Sequence, residues 1–350
     1  MLFLFLIKLA LLGLGFLLAP KLRPCGRGAA GAPLPIRRLS VIIPARNEAH
    51  NLPRLLASLA AQAPAPAEII VVDDGSTDAT ARVAREGGAT VLTAAPLPAG
   101  WKGKTWALHQ GVQLATGDHF LFLDADTWFE AGGLARAWAE YGGGAFSVGP
   151  WHAVDRWHED LSLFFNLNMI FGTVPQGLFG QMLLVDRASY ERVGGHAAVQ
   201  GRVLENFALA EHFRNAGVPV RSVAGRGVIS FRMYPGGIGE LVEGWTKGFA
   251  AGAGRTPPWV MALVVGWMVG LLFGPPGGLP ADAGWKAAWA GAYLLGTLQL
   301  MWFARQSGNF RRLTSLFYPL PLLFFLGLFT RSALRSGQRT TWKGRDIRAD

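Results

Sequence analysis

Apolar residues are crowded into the two ends of the chain, and this distribution limits the possible folds before any motif is read. Residues 2–19 are apolar except for Lys8 and stop at Pro20, a run long enough to cross a hydrocarbon core of about 30 Å as a helix. Near the other end, residues 257–273 and 285–303 have the same character, and the Gly/Pro turn between them carries no Lys or Arg. A third run, 313–330, is broken by Pro319 and Pro321, which remove two backbone donors, and arginines flank it on both sides. A re-entrant or interfacial hairpin is predicted there in place of a crossing. The 51% hydrophobic content comes from these ends. The middle has ordinary globular composition and enough length for a sizeable core.

The formal charge is +10. Its basic residues sit beside the apolar runs, as Lys21, Arg23, Arg27, Arg37 and Arg38, then Arg305, Arg311 and Arg312, then Arg331, Arg335, Arg339, Lys343, Arg345 and Arg348. That placement reads as a membrane-orientation signal and gives no reason to expect a nucleic-acid partner. A secretory signal carries its positive charge before the apolar core; here the charge follows it, so an uncleaved anchor with its N-terminus outside is expected. The small residues 29–32 imitate a cleavage site only in composition. Together these features predict a multi-pass protein of the cell membrane with its central domain on the cytoplasmic side. The single cysteine, Cys25, excludes an intrachain disulfide, and the lack of Cys/His clusters argues against structural zinc.

Between the apolar ends, short β-branched or aromatic runs at residues 40–45, 68–72, 90–93 and 119–123 read as buried strands. Helix-like segments at 51–62, 79–86, 104–115 and 132–141 alternate with them. This alternation predicts an α/β domain with a parallel sheet, helices on both faces, and ligands at the carboxyl ends of the strands. The first strand runs into Pro44, Arg46 and Glu48, and the second into Asp73, Asp74 and a Gly-Ser-Thr-Asp turn. A turn with a helix cap accounts for the second cluster by itself. The fourth strand runs into Asp124, Ala125 and Asp126. Two carboxylates converging at a strand end are costly unless a cation joins them. A hard ion such as Mg2+ or Mn2+, shared with substrate phosphates, is the usual solution.

As an ordered set, residues 40–48, 71–80 and 124–126 resemble glycosyltransferase family 2, with its Rossmann-like GT-A fold for nucleotide-diphospho-sugar transferases. Trp101 to Lys104 with Trp106, Ala107 and Leu108 resembles the family's Gly-Lys segment in a form found in membrane-bound, lipid-glycosylating members. Residues 179–185, 187–196 and 203–210 are similar to its acceptor-side segments. Tyr234, Gly244 to Lys247 and Trp342 to Arg345 are similar to the carotenoid- and hopanoid-associated branch. The resemblance implies that Pro44, Arg46, Glu48, Asp73 and Asp74 hold the nucleoside and that Lys104 meets the diphosphate. It implies that Asp124 and Asp126 hold the metal, with Asp124 also beside the donor. The implied donor is a UDP-sugar, UDP-glucose foremost, and the implied acceptor a membrane lipid such as a carotenoid or another polyisoprenoid.

The chain departs from the family at the Glu-Asp pair whose Asp takes the acceptor proton, because here the pair reads Glu205, Asn206. Asn accepts no proton at neutral pH. Three readings stay open: Glu205 is the base; the acceptor is a carboxylic acid, already ionised, and Asn206 orients it; or the protein binds without turnover. Beyond the sheet, Arg232 precedes a segment, 236–256, whose Trp245 and Lys247 suit an interface helix at headgroup level. Of the histidines, His196, in a Gly-Gly-His turn, is the one predicted near the acceptor mouth. The expected layout is an anchor at 1–20, a GT-A domain at 39–235, the interface helix, membrane segments at 257–330 and a basic tail at 331–350. A processive polysaccharide synthase and a non-catalytic membrane scaffold are the competing functions. The first needs a larger helical channel and a Gln-x-x-Arg-Trp segment, neither evident, and only Asn206 favours the second.

Overall fold

A computed structural model describes residues 1–26, 38–202, 204–253, 255–275, 278, 282–334, 339–342 and 345–348, with the backbone alone for 247–253, 333–334, 339–342 and 345–348. The Lys247 side chain, Arg27, Arg37, Val203, Arg335, Lys343, Gly344 and the side chains of Arg339, Trp342, Arg345 and Arg348 lie outside the described residues. Along the chain the helices are α1 (Leu2–Leu18), α2 (Leu52–Ala60), α3 (Thr80–Glu86), α4 (Gly103–Leu114), α5 (Gly133–Glu140), α6 (Leu163–Thr173) and α7 (Arg187–Arg192). Then come α8 (Glu205–Asn215), α9 (Ile238–Ala253), α10 (Pro258–Leu272), α11 (Ala283–Ser307), α12 (Arg312–Leu316) and α13 (Pro319–Leu334). The strands are β1 (Leu39–Ala45), β2 (Glu68–Asp73), β3 (Thr90–Thr93), β4 (His119–Leu123), β5 (Thr127–Phe129) and β6 (Ala145–Gly149). They continue as β7 (Trp151–His152), β8 (Met182–Asp186), β9 (Val220–Ala224), β10 (Ile229–Phe231), β11 (Arg339–Trp342) and β12 (Arg345–Arg348).

Two compact units emerge. The α/β unit comprises Pro24–Trp151 and Thr173–Arg232; the helical unit comprises Met1–Arg23, His152–Gly172 and Met233–Ala349. In the α/β unit, seven strands form one sheet in the order β3-β2-β1-β4-β8-β6-β9. β1, β2, β3 and β4 are parallel, matching the four predicted strands, and β6 and β9 are parallel to each other. The sheet is nevertheless mixed, which corrects the parallel expectation: β8 runs antiparallel to both β4 and β6. Alternate strand residues feed opposite layers. Val41, Ile43, Leu121 and Leu123 pack in one with Leu52, Leu55, Leu56 and Leu59 of α2. Ile42, Phe120 and Phe122 pack in the other with Ala107, Leu108 and Val112 of α4. The leucines of α2 recur at helical period, so its apolar stripe faces the sheet. Gly111 lets α4 lie close, since a Cβ there would stand 2.5 Å from Ile42 Cγ2.

The register puts the functional edge together. Ala45 is opposite Asp73, and β4 ends at Leu123 opposite Met182, so the carboxyl ends of β1, β2 and β4 lie beside the amino end of β8.

In the helical unit, α1 together with the turn to Leu22 is the one described helix long and apolar enough to cross a membrane. α10, with 15 residues, and the stretch 319–332 of α13 are apolar but shorter. α11 has 25 residues but carries Lys286, Gln299, Arg305 and Gln306. The two further crossings expected at 257–273 and 285–303 are therefore helices that fall short of a spanning segment, one in length and the other in apolarity. The proline-broken run became a break at Phe317–Tyr318 between α12 and α13, with Pro319 starting the second helix. Among the described residues, every exposed large hydrophobic side chain except Leu97 and Leu114 belongs to this unit.

Lys8, the lone charge in the first apolar run, is buried at 3% exposure and donates to the carbonyls of Gly270 and Phe273 at 3.1 and 2.7 Å. It thereby satisfies acceptors that α10 leaves open at its C-terminus. Gln299 extends the polar join, donating to the Leu12 carbonyl at 3.2 Å and accepting from Trp267 Nε1 at 2.8 Å. Lys8→Met strands two buried acceptors, a loss of about 1–3 kcal/mol. The variant is expected to unfold in detergent at a lower temperature than wild type, with Lys8→Arg nearer to it; an unchanged midpoint contradicts the capping role.

Candidate active site

The carboxyl edge of the sheet gathers most of the polar residues singled out from the sequence. At the end of β1, Arg46 donates to the Asp74 carbonyl at 3.0 Å, and its guanidinium stands 4.0 Å from Asp74 Oδ2. Asn47 takes a left-handed conformation, φ 55°, and locks the two loops: its N–H donates to Ser76 Oγ and its side-chain oxygen accepts from the Thr77 N–H. Glu48 accepts from Asn51 Nδ2 at 2.8 Å, and its own N–H donates to Thr80 Oγ1. Asp73 is buried and accepts from the Ser76 N–H at 3.0 Å, while Asp78 Oδ1 accepts from the Thr80 N–H at 2.9 Å. The turn reading of this cluster thus holds locally, whereas the cap reading does not: α3 has Ala79 at its N-cap and no side-chain cap hydrogen bond. Pro44, on the same strand end, is half-buried.

At the end of β4 the chain turns through Asp124, whose N–H donates to the Gln181 carbonyl and whose own carbonyl accepts from Thr127. Asp126 follows two residues on, after Ala125. Its Oδ1 is buried with no hydrogen-bond partner. Burial first, then the charges of Asp124 and Glu48, push its carboxyl up to about 7, with Lys104 pulling the other way. β10 pairs with β5 so that the Arg232 N–H meets the Asp126 carbonyl at 3.4 Å.

Lys104, the second residue of α4, connects this strand end to α8. Its ammonium is 2.7 Å from Asp124 Oδ1 and 3.0 Å from Glu205 Oε1, and it donates to the Gly180 carbonyl at 3.1 Å. Burial by itself lowers the lysine pKa, but Asp124 and Glu205 together outweigh it and hold the group above the usual lysine range. Glu205 opens α8, where the helix dipole favours a carboxylate. Asn206 turns its amide to the Leu178 carbonyl. Gly180 lies between the two: a Cβ there would be 3.4 Å from both Glu205 Oε1 and Lys104 Nζ and 3.6 Å from Asn206 Cγ. Gly180 and the Leu178 carbonyl had no motif of their own to mark them; they reach this edge through the antiparallel entry into β8.

Three sequence expectations are not met in place. His196 is buried at 2%, its Nδ1 hydrogen-bonded to the Tyr190 hydroxyl at 2.8 Å and its ring edge-on to Phe122, so it packs in the core and not at an acceptor mouth. Burial, with the Lys104 and His109 charges, lowers its pKa to about 3, which keeps it neutral. Trp245 belongs to the helical unit, buried at 7%, stacked on Phe165 and donating to Ser162 Oγ at 3.0 Å. A tryptophan with its N–H satisfied inside packing is not one at headgroup level. Lys104, expected to await a diphosphate, is engaged by two carboxylates.

A family model described as glycosyl transferase family 2 matches residues 40–160. The 4,4'-diaponeurosporenoate glycosyltransferase of Staphylococcus aureus strain MRSA252 is 35% identical over 331 residues, covering 88% of each chain. Its counterpart in strain USA300 is 34% identical over 330 residues with the same coverage. The chain belongs to glycosyltransferase family 2. A mannosyltransferase from Pyrobaculum calidifontis, solved with GDP-Man and Mn2+, matches with a TM-score of 0.56 at 18% identity, over 95% of this chain and 98% of that one. The α/β unit of this family member has the GT-A fold.

A divalent cation fits the residues present. The buried, unpartnered oxygen of Asp126 beside a second carboxylate is what such an ion would satisfy. No group of three or more ligating side chains occurs among the described residues. Two carboxylates leave the remaining positions to phosphate oxygens and water, as Mg2+ and Mn2+ sites commonly do.

The raised Asp126 carboxyl has a stability consequence. Between about pH 4 and about pH 7 the unfolded chain has lost this proton and the folded chain still holds it, so metal-free stability falls as pH rises through that window and is level above it. Asp126→Asn removes the loss. In EDTA, the variant's melting temperature is expected to gain on wild type from about pH 4.5 to about pH 7 and to hold that lead above it; a constant gap across that window contradicts the shift.

Proposed function

We propose that this enzyme transfers a hexose, glucose from UDP-glucose, to a carotenoid acid in the membrane, with inversion at the anomeric carbon. The observation that carries this reading is the pair Asp124 and Asp126, with a buried open oxygen, at the strand edge of a chain related over most of its length to 4,4'-diaponeurosporenoate glycosyltransferases. In the reaction an acceptor carboxylate oxygen bonds to the sugar C1 as the C1–O bond to the diphosphate breaks. The product is a glycosyl ester and the nucleotide leaves with the bond's electron pair. A Mn2+ or Mg2+ held by Asp124 and Asp126 supplies Lewis acidity toward that leaving group.

The chain's own residues do the rest. Pro44, Arg46, Glu48, Asp73 and Asp74 bind the nucleoside on loops already cross-braced by Asn47 and Ser76. Lys104 brings a point charge to the diphosphate. Glu205 is ion-paired with Lys104, and Asn206 takes no proton. An acceptor that arrives ionised needs neither as a base, and this favours the acid over an alcohol.

We assign catalysis to residues 39–235 on the cytoplasmic side. The helical unit serves as the membrane part, with α1 as its anchor and the apolar surfaces of α10, α11 and α13 facing lipid. Arg232 borders the acceptor path from the Asp126 side.

Mass spectrometry of membrane lipids with and without the gene tests the function. The expected result is a hexose gain on a carotenoid acid, removed by mild base and absent with Asp126→Asn. A base-stable product on an alcohol, or full transfer by Asp126→Asn, contradicts it. Glu205→Gln is expected to retain measurable transfer with the pH profile unchanged, whereas loss of the profile's acidic limb identifies Glu205 as a base.

A further inference from the structure

The lysine between the two acids carries an inference that rests on the metal-assisted reading just given. An ammonium has three donors and no acceptor, and all three donors of Lys104 have partners: Asp124 Oδ1 at 2.7 Å, Glu205 Oε1 at 3.0 Å and the Gly180 carbonyl at 3.1 Å. Asp124 is one of the two carboxylates assigned to the cation. An oxygen already in a charge-assisted hydrogen bond to an ammonium has that lone pair engaged and is a weakened metal ligand. Asp126 is less compensated, with one oxygen buried and bare. The donor-free site therefore holds half of a metal-binding pair open and the other half closed by a protein cation.

We propose that Lys104 is an exchangeable counter-ion, occupying the metal's place on Asp124 until a nucleoside diphosphate arrives and then moving its charge onto the phosphates. Glu205 and the Gly180 carbonyl are the other two partners of the ammonium. They keep the ammonium tethered beside the site during the exchange, so Glu205 is a positioning residue that acts through Lys104. Binding of the divalent ion alone then breaks an ion pair without replacing it, whereas binding together with the diphosphate gives the lysine new acceptors. The two ligands must favour each other's binding, and reciprocally by the same factor. The exchange requires no proton transfer and no covalent step.

The test measures Mn2+ binding by calorimetry to the full-length protein in detergent, with and without saturating UDP. Wild type is compared with Lys104→Gln, Lys104→Met and Lys104→Arg, and thermal unfolding establishes that each variant is folded. For Lys104→Gln, which keeps hydrogen bonding but no charge, Mn2+ alone is expected to bind about tenfold more tightly than to wild type, the scale of one charge-assisted hydrogen bond. The factor by which UDP improves Mn2+ binding is expected to shrink by about the same amount. Lys104→Met repeats the result should the glutamine find new partners, and Lys104→Arg, still cationic, stays near wild type. A neutral variant that binds Mn2+ alone no more tightly than wild type, or that keeps the full UDP gain, overturns the proposal. Wild type that binds no Mn2+ even with UDP overturns the metal-assisted reading itself, and the exchange with it.

Discussion

Glu48, Asp124, Asp126 and Glu205 bring negative charge to the carboxyl edge of the sheet, and the ammonium of Lys104 is placed between Asp124 and Glu205. Two of the acids are tied to it directly, and a third has a carboxyl pushed up to about 7. Such a cluster is costly to assemble in a partly buried place. It makes sense as a receptor for further positive charge followed by a phosphate-bearing ligand. The rest of the α/β unit serves to hold these groups in register: the strands end level, the loops after β1 and β2 brace each other, and α8 offers Glu205 at its amino end.

The family's acid pair reads Glu-Asn in this chain, and the surrounding geometry gives that change a consistent meaning. Glu205 is occupied by a lysine, and Asn206 by the Leu178 carbonyl. The place of the family's acid pair is thus held by a glutamate with one oxygen paired to a lysine and by an amide bonded to a backbone carbonyl, and the proposed carboxylate acceptor is the nucleophile that asks least of such a pair.

Much of this was legible in the residues themselves. Continuous β-branched runs and the apolar period of Leu52, Leu55, Leu56 and Leu59 marked strands and helices because burial on a sheet depends on local pattern. Asp124 and Asp126 stood out because a strand running into two acids is a poor structural choice by itself. What the pattern could not contain was direction: nothing local distinguishes an antiparallel β8 from a parallel one, yet that reversal brings Gly180 to Lys104. His196 and Trp245 misled for one shared reason. Their polar atoms found partners inside packing, from Tyr190 and Ser162, and a one-dimensional reading sees only the polar atom. Lys8 reads as a break in an apolar run, and its use as a cap for a helix more than two hundred residues away depends on tertiary contact.

The helical unit and the α/β unit carry different physical demands. The first exposes leucines, phenylalanines and tryptophans from α1, α10, α11 and α13 and joins α1, α10 and α11 by buried polar contacts from Lys8 and Gln299. The second keeps its apolar groups inside and its charges at one edge. The claim that unites them is that this edge grips a cation and a nucleotide sugar. Anomalous scattering from crystals grown with Mn2+ and a UDP-sugar addresses it most directly. The account predicts one manganese peak within bonding distance of the Asp124 and Asp126 carboxylates, with the diphosphate on its open side and Lys104 turned toward the phosphates. A nucleotide bound elsewhere, or bound at this edge with no manganese between it and those two aspartates, contradicts it.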